Sequence, residues 1–162
     1  MAPFFIGTLD VAGGGRLGIC GLPGISNPFA DDLAAIRKWE PAHVVSMTEE
    51  GEMKAAGAAD LGRSLKNLSI AWSHLPVRDF GGLDGENAER WPEVSATLHA
   101  CLDAGGGVLA HCRAGRGRSG MIVLRLMVER GEMPLAALAR LREVRPGAVE
   151  TDEQFAWASG VT

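Results

Sequence analysis

The chain has 162 residues, 46% of them hydrophobic and 22% charged, with 16 basic against 20 acidic side chains and a formal net charge of -4. That hydrophobic share excludes intrinsic disorder and suits one domain around one core, although 22 Gly and 8 Pro make the chain loop-rich. The mild acidity argues against a nucleic-acid binder, which carries a domain-wide basic excess, so any anion site has to be local.

Without internal repeats or low-complexity tracts, residues 1–162 read as a single domain. Arg16 to Gly21 predicts a short strand closed by Leu22-Pro23-Gly24, ahead of a helix capped by Asp31 and Asp32 with Leu33, Ile36 and Trp39 on its buried face. Pro41 ends that helix, His43 to Met47 is a β-branched run suited to a buried strand, and Glu49, Glu50 and Glu52 follow in a loop. A short helical piece around Leu61 and Leu65 leads into a strand where Leu68, Ile70, Trp72 and His74 alternate with small residues up to Pro76. A helix from about Ala88 to Asp103 carries Trp91, Val94, Leu98 and Leu102 on one stripe and stops at Gly105-Gly106-Gly107. Val108 to His111 predicts another short strand. Helices follow at Ser119 to Arg130, apolar nearly all round, and at Leu135 to Val144 behind Pro134, and a last one opens at Thr151. This alternation predicts an α/β fold with a mainly parallel central sheet flanked by helices, whose ligands bind beyond the carboxyl ends of the strands.

The longest apolar stretch, Met121 to Val128, is interrupted by Arg125 and is under half the ~20 residues of a membrane span, so no integral membrane association is expected. The first ten residues lack the pattern of a secretory signal, which makes the cytoplasm the expected compartment. Cys20, Cys101 and Cys112 are odd in number and widely spaced, so they form neither a disulfide framework nor a four-ligand zinc site.

One loop stands out. Directly after the strand ending at His111 comes Cys112-Arg113-Ala114-Gly115-Arg116-Gly117-Arg118-Ser119-Gly120, and then the buried helix. The residues between Cys112 and Arg118 are enough to curl the backbone around a tetrahedral anion, and Gly115 and Gly117 permit the curvature that turns successive N–H groups inward. Those groups, the positive helix end and Arg118 favour the thiolate of Cys112 as a nucleophile. Arg118 can hold two phosphate oxygens through its planar fork. Ser119 is placed to donate to the departing sulfur, and His111 to support the loop from behind. Cys20 and Cys101 lie in apolar surroundings and read as core residues.

His111-Cys112, the five residues after them, and Arg118-Ser119 resemble the signature loop of cysteine-dependent protein phosphatases. Ile19 to Gly24, Thr48 to Glu52, His74 to Asp79 with Gly81-Gly82, and Gly147 to Gln154 resemble, in the same order, the kinase-associated branch of the dual-specificity phosphatases, over nearly the whole chain. The resemblance implies a protein tyrosine/dual-specificity phosphatase-like fold, attack of Cys112 on phosphorus and binding of the phosphoryl oxygens by Arg118.

Displacement of an alkoxide needs a proton on the leaving oxygen, so a carboxylic acid on a mobile loop is expected. Position alone leaves Asp79, before Phe80-Gly81-Gly82, and Asp84 both open, and the resemblance selects Asp79 as general acid. It also offers Gln154 as a water-placing residue, while Thr151 with Gln154 reads independently as a helix capping box.

Arg113 and Arg116 add charge to the loop, favour highly charged anions, and resemble the basic positions of lipid-phosphate phosphatases. With no Tyr in the chain, a shallow pocket for phosphoserine, phosphothreonine and phosphotyrosine is expected. The leading expectation is hydrolysis of phosphoprotein monoesters through a cysteinyl-phosphate. Phosphoinositides or other polyphosphorylated small molecules are the alternative substrates. A sulfurtransferase leaves Asp79 without a purpose, and a non-catalytic phosphopeptide-binding module usually lacks the cysteine or the arginine. No cofactor or metal is called for, since backbone donors and Arg118 supply the charge stabilisation.

Overall fold

The computed structural model describes residues 3–160. Its strands are β1 (Gly7–Asp10), β2 (Arg16–Cys20), β3 (Pro41–Ser46), β4 (Ala71–His74) and β5 (Gly107–His111), arranged in one sheet in the order β1-β2-β5-β3-β4. Only β1 runs antiparallel to its neighbour, and β5 lies at the centre between β2 and β3. The helices are α1 (Phe29–Trp39), α2 (Glu50–Ala55), α3 (Leu61–Asn67), α4 (Gly85–Asp103), α5 (Gly117–Glu129), α6 (Pro134–Val144) and α7 (Asp152–Ser159).

The strands feed two apolar layers because successive side chains alternate between the faces of the sheet. Leu17, Ile19, Val45, Val108 and Ala110 enter the larger core with Leu98 and Leu102 of α4 and Met121, Ile122 and Leu126 of α5. Cys20, Val44 and Leu109 point the other way, onto Ile36 of α1, Met53 of α2 and Leu61 and Leu65 of α3. Helices on both faces bury β5 throughout, so a loop leaving its carboxyl end opens from the middle of the molecule. Among the described residues no helix is long and apolar enough to cross a membrane.

The α/β class and its mainly parallel sheet agree with the sequence, but several local expectations are corrected. Glu49, Glu50 and Glu52 do not form a loop: Glu49 and Glu52 close a capping box that starts α2. The strand read from Leu68 begins only at Ala71, because Leu68 caps α3 and Ser69 takes a positive φ of 60°. Asp32 does not cap α1, which begins at Phe29. Its carboxylate accepts from Gly24 N at 2.9 Å and Asn27 Nδ2 at 3.0 Å, tying down the preceding loop. Helix α4 starts at Gly85 and α5 at Gly117, both earlier than expected. Strand β1 was not anticipated at all.

Candidate active site

The loop from Cys112 to Arg116 joins β5 to α5. Its carbonyls are drawn outward. Arg113 O accepts from Leu22 N at 3.1 Å, and Arg116 O accepts from Gly120 N and Val149 N at 3.0 Å each. Arg145, at the end of α6, donates through Nη2 to Ala114 O at 2.7 Å and through Nε to Gly115 O at 2.9 Å. In a planar peptide the N–H points opposite to the C=O, so carbonyls anchored outside turn the amides toward the loop centre. Among the described residues, no backbone acceptor takes any N–H from Arg113 through Ser119. Gly115 has φ of 74°, and a Cβ there would lie 2.5 Å from the Cys20 carbonyl carbon, so only glycine lets the loop press against the end of β2.

Arg145 therefore shapes the loop from outside. Burial, and then the like charge of Arg116, lower its pKa from the ordinary arginine value. Replacing Arg145 by Met, which keeps much of the side-chain bulk, is expected to lower kcat/KM by about 10- to 100-fold while the chain stays folded, because the amides lose their common aim. Steady-state kinetics beside a thermal melt checks this, and unchanged kinetics would contradict it.

Inside the loop, Cys112 is 2% exposed and its Sγ lies 3.2 Å from Ser119 Oγ. Arg118, 1% exposed, reaches over from α5. It donates through Nη1 and Nη2 to the two carboxylate oxygens of Glu52 at 2.7 and 2.8 Å, and through Nη1 to Val77 O at 2.9 Å. Burial opposes the Arg118 charge, but the Glu52 carboxylate outweighs it, with Cys112 and Asp79 adding in the same sense, so the guanidinium is held above its usual range. The hydrogen bond from Arg118 in turn lowers the Glu52 pKa. Arg118 Nε is buried and has no hydrogen-bond partner among the described residues.

Asp79 Oδ1 lies 3.4 Å from Arg118 Nη2 and accepts from Phe80 N at 3.0 Å, on an exposed turn where Phe80 takes φ of 63°. Asp84 is instead the N-cap residue of α4 and is exposed. The Asp79 turn is fastened to α7. Thr151 Oγ1 donates to Phe80 O at 3.3 Å and Gln154 Nε2 to Gly81 O at 3.2 Å. Gln154 is fully buried, and its Oε1 also accepts from Glu150 N at 2.8 Å and Thr151 N at 3.2 Å, completing the capping box. Arg113, Ala114 and Arg116 are exposed, and both arginines line a cavity of about 360 Å³ together with Arg145, Phe5 and Asn27.

His111 is fully buried behind Cys112, and burial pushes its pKa down to about 4. A histidine that stays neutral when folded but charges when unfolded leaves stability intact above about pH 6.5 and removes it as pH falls toward 4, by up to about 3 kcal/mol. Urea unfolding midpoints across that window should therefore fall less in His111→Asn than in the wild type. Buried His43, shifted the same way, stays common to both proteins. Parallel curves would contradict the assignment.

The structure thus brings Cys112, Arg118, Ser119 and Asp79 together, sets His111 behind them and puts Gln154 on the turn that carries Asp79. Sequence reasoning missed Glu52 and Arg145 as parts of the site. Glu49 and Glu52 carried a readable capping-box signal, whereas Arg145 lies 30 residues from the carbonyl it holds and carries none.

A cysteine and an arginine framed by inward amides, at the carboxyl end of the central strand of a mostly parallel sheet, mark a phosphatase of the dual-specificity/protein tyrosine type. The chain belongs to the family described as the polymorphic toxin system DSP-PTPase phosphatase (Tc-R-P), whose model matches residues 18–132. It is similar in structure to kinase-associated phosphatase (KAP) with its catalytic-site cysteine replaced by serine, at TM-score 0.86 and 23% identity, covering 99% of this chain and 95% of that one. The active form of Tk-PTP gives TM-score 0.72 and 26% identity over 94% of this chain and 95% of that one. PTPMT1 in complex with PI(5)P gives 0.70 and 18% over 95% and 93%.

Proposed function

We propose that this chain hydrolyses phosphate monoesters of phosphoproteins, on Ser, Thr and Tyr, through a cysteinyl-phosphate intermediate. One observation supports this above all: among the described residues a ring of backbone N–H groups and the buried Arg118 Nε find no acceptors, and a phosphoryl group has the oxygens to supply them. In the proposed mechanism Cys112 Sγ attacks phosphorus, the ester bond breaks, and Asp79 gives its proton to the leaving oxygen. The three equatorial oxygens are held by the inward amides and by Arg118, which Glu52 keeps oriented. Asp79, now a carboxylate, then takes a proton from water as that water attacks phosphorus, and phosphate leaves while Ser119 donates to the returning sulfur anion. Gln154 serves this step by holding the Asp79 turn over the loop, with its amide on Gly81 O. We place the activity in the cytoplasm, where reducing conditions keep a cysteine nucleophile a thiol.

The discriminating experiment compares an aryl phosphate with an alkyl phosphate, both with chelator present. Asp79→Asn is expected to slow the alkyl ester by about 100-fold or more and the activated aryl ester far less, because only a poor leaving group needs the proton. Equal losses on the two would reject the role. The cavity lined by Arg113, Arg116 and Arg145 favours a second reading, a polyphosphorylated small molecule such as a phosphoinositide. A kcat/KM for such a compound well above that for phosphopeptides would select it.

A further inference from the structure

Behind the nucleophile, Cys20, His111, Ser46 and His74 stand side by side in one register row across β2, β5, β3 and β4. Ser46 and His111 are fully buried, and Ser46 Oγ lies 2.5 Å from His111 Nε2. Trp72, two residues before His74 on the edge strand and 36% exposed, stacks on the His74 ring with centroids 5.2 Å apart. Its indole Nε1 donates to Ser46 Oγ at 2.8 Å. At the other end, His111 Nδ1 lies 3.3 Å from Cys112 O. Three hydrogen bonds thus run from a half-open surface tryptophan to the peptide that carries the nucleophile.

Counting protons along this line gives it a direction. An indole N–H can only donate, so Ser46 Oγ accepts from Trp72 and has its own proton left for His111 Nε2. Nε2 is then an acceptor, and the neutral imidazole carries its proton on Nδ1, where it donates to Cys112 O. The opposite tautomer would set the lone pair of Nδ1 against a carbonyl oxygen with no proton between them. The groups facing His111 are Cys112 itself, His74 of β4, Arg118 of α5 and Glu52 of α2; burial, aided by His74 and Arg118, outweighs the Cys112 hydrogen bond and the Glu52 charge and keeps the ring uncharged.

We propose that Ser46 and Trp72 are positioning residues for the nucleophile, fixing the tautomer of His111 and, through it, the orientation of the Cys112 peptide. The consequence follows from peptide planarity: holding Cys112 O on the His111 side turns Arg113 N–H, the first donor of the loop, away from it and toward the anion. The same hydrogen bond limits the swing of Cys112 Cα and hence of Sγ. This inference rests on Cys112 being the nucleophile.

Two measurements on the full chain test it. Long-range ¹H–¹⁵N correlation of the labelled imidazoles near neutral pH, with His111 assigned by its loss in His111→Asn, is expected to show a protonated Nδ1 and a bare Nε2. In kinetics, Ser46→Ala should lower kcat by about tenfold while KM moves less than about twofold, and Ser46→Thr should restore most of the loss. Trp72→Phe keeps the ring on His74 but removes the donor. It should lower kcat by about threefold in the wild type and not at all in the Ser46→Ala background. A His111 protonated on Nε2, or losses that multiply in the double variant, would overturn the proposal. Turnover that does not depend on Cys112 would instead reject the phosphatase mechanism, and the tautomer spectrum would still decide the Trp72–Ser46–His111 assignment.

Discussion

Cys112→Ser is expected to lower kcat on every phosphate monoester by about 10⁴-fold or more, with substrate binding retained. The asymmetry comes from the site. Serine fits the same buried position, so the outward anchoring of the loop carbonyls by Leu22, Arg145, Gly120 and Val149 survives, and the inward amides still bind the phosphoryl oxygens. What is lost is the sulfur nucleophile. A hydroxyl gives almost no anion near neutral pH, and among the described residues no general base faces it: Ser119 Oγ is the side-chain partner of Cys112 Sγ, and His111 turns its ring to the Cys112 carbonyl. Isothermal titration with a phosphopeptide, run beside steady-state turnover, separates the two effects. A serine variant keeping more than about a hundredth of wild-type kcat would contradict this account.

The second large loss is expected from Arg118→Lys, about 10³-fold or more in kcat/KM despite the conserved charge. Arg118 does several things at once with one planar group: its two Nη atoms grip Glu52 from one side, Nη1 also reaches Val77 O, and Nε stays available toward the anion. A lysine ammonium is a single point with a different reach. It can satisfy the Glu52 carboxylate or a phosphoryl oxygen, but not both in the geometry a trigonal-bipyramidal transition state demands. Because Val77 lies just ahead of Asp79, the substitution also loosens the support of the acid turn. The Lys variant is therefore expected to lose kcat more than binding, and a thermal melt shows whether the fold persists. Retention of more than about a tenth of wild-type kcat/KM by a folded Lys variant would be the opposing result.

The parts of the site legible in the sequence are those that neighbours along the chain create. Cys112, Gly115, Gly117, Arg118 and Ser119 lie within one strand-to-helix turn, so their spacing alone describes an anion loop. What supports the loop comes from far away and leaves no local pattern. Glu52 is 66 residues from Arg118, Ser46 is 65 from His111, and Arg145 is 31 from Ala114. Each becomes meaningful only when the parallel strands set β3 beside β5 and α6 packs near the loop. The same limit explains two errors in the fold. Leu68 and Ile70 mimic strand alternation but close the turn after α3, where a positive φ at Ser69 redirects the chain. Strand β1 carries too few residues to show a period and is defined by its antiparallel pairing with β2. Gln154 shows how one residue supports two readings: the capping box predicted from Thr151 and Gln154 is present, and its remaining amide reaches the acid turn.

The covalent step is the claim on which the rest depends, and a rapid denaturing quench during turnover tests it most directly. With substrate labelled at the phosphoryl group, wild-type protein stopped in the steady state should carry the label on the peptide containing Cys112, as an alkali-stable phosphorothiolate on Sγ, and Asp79→Asn should not shift it to another residue. Label found on any other side chain, or none during turnover that still depends on Cys112, would contradict the account.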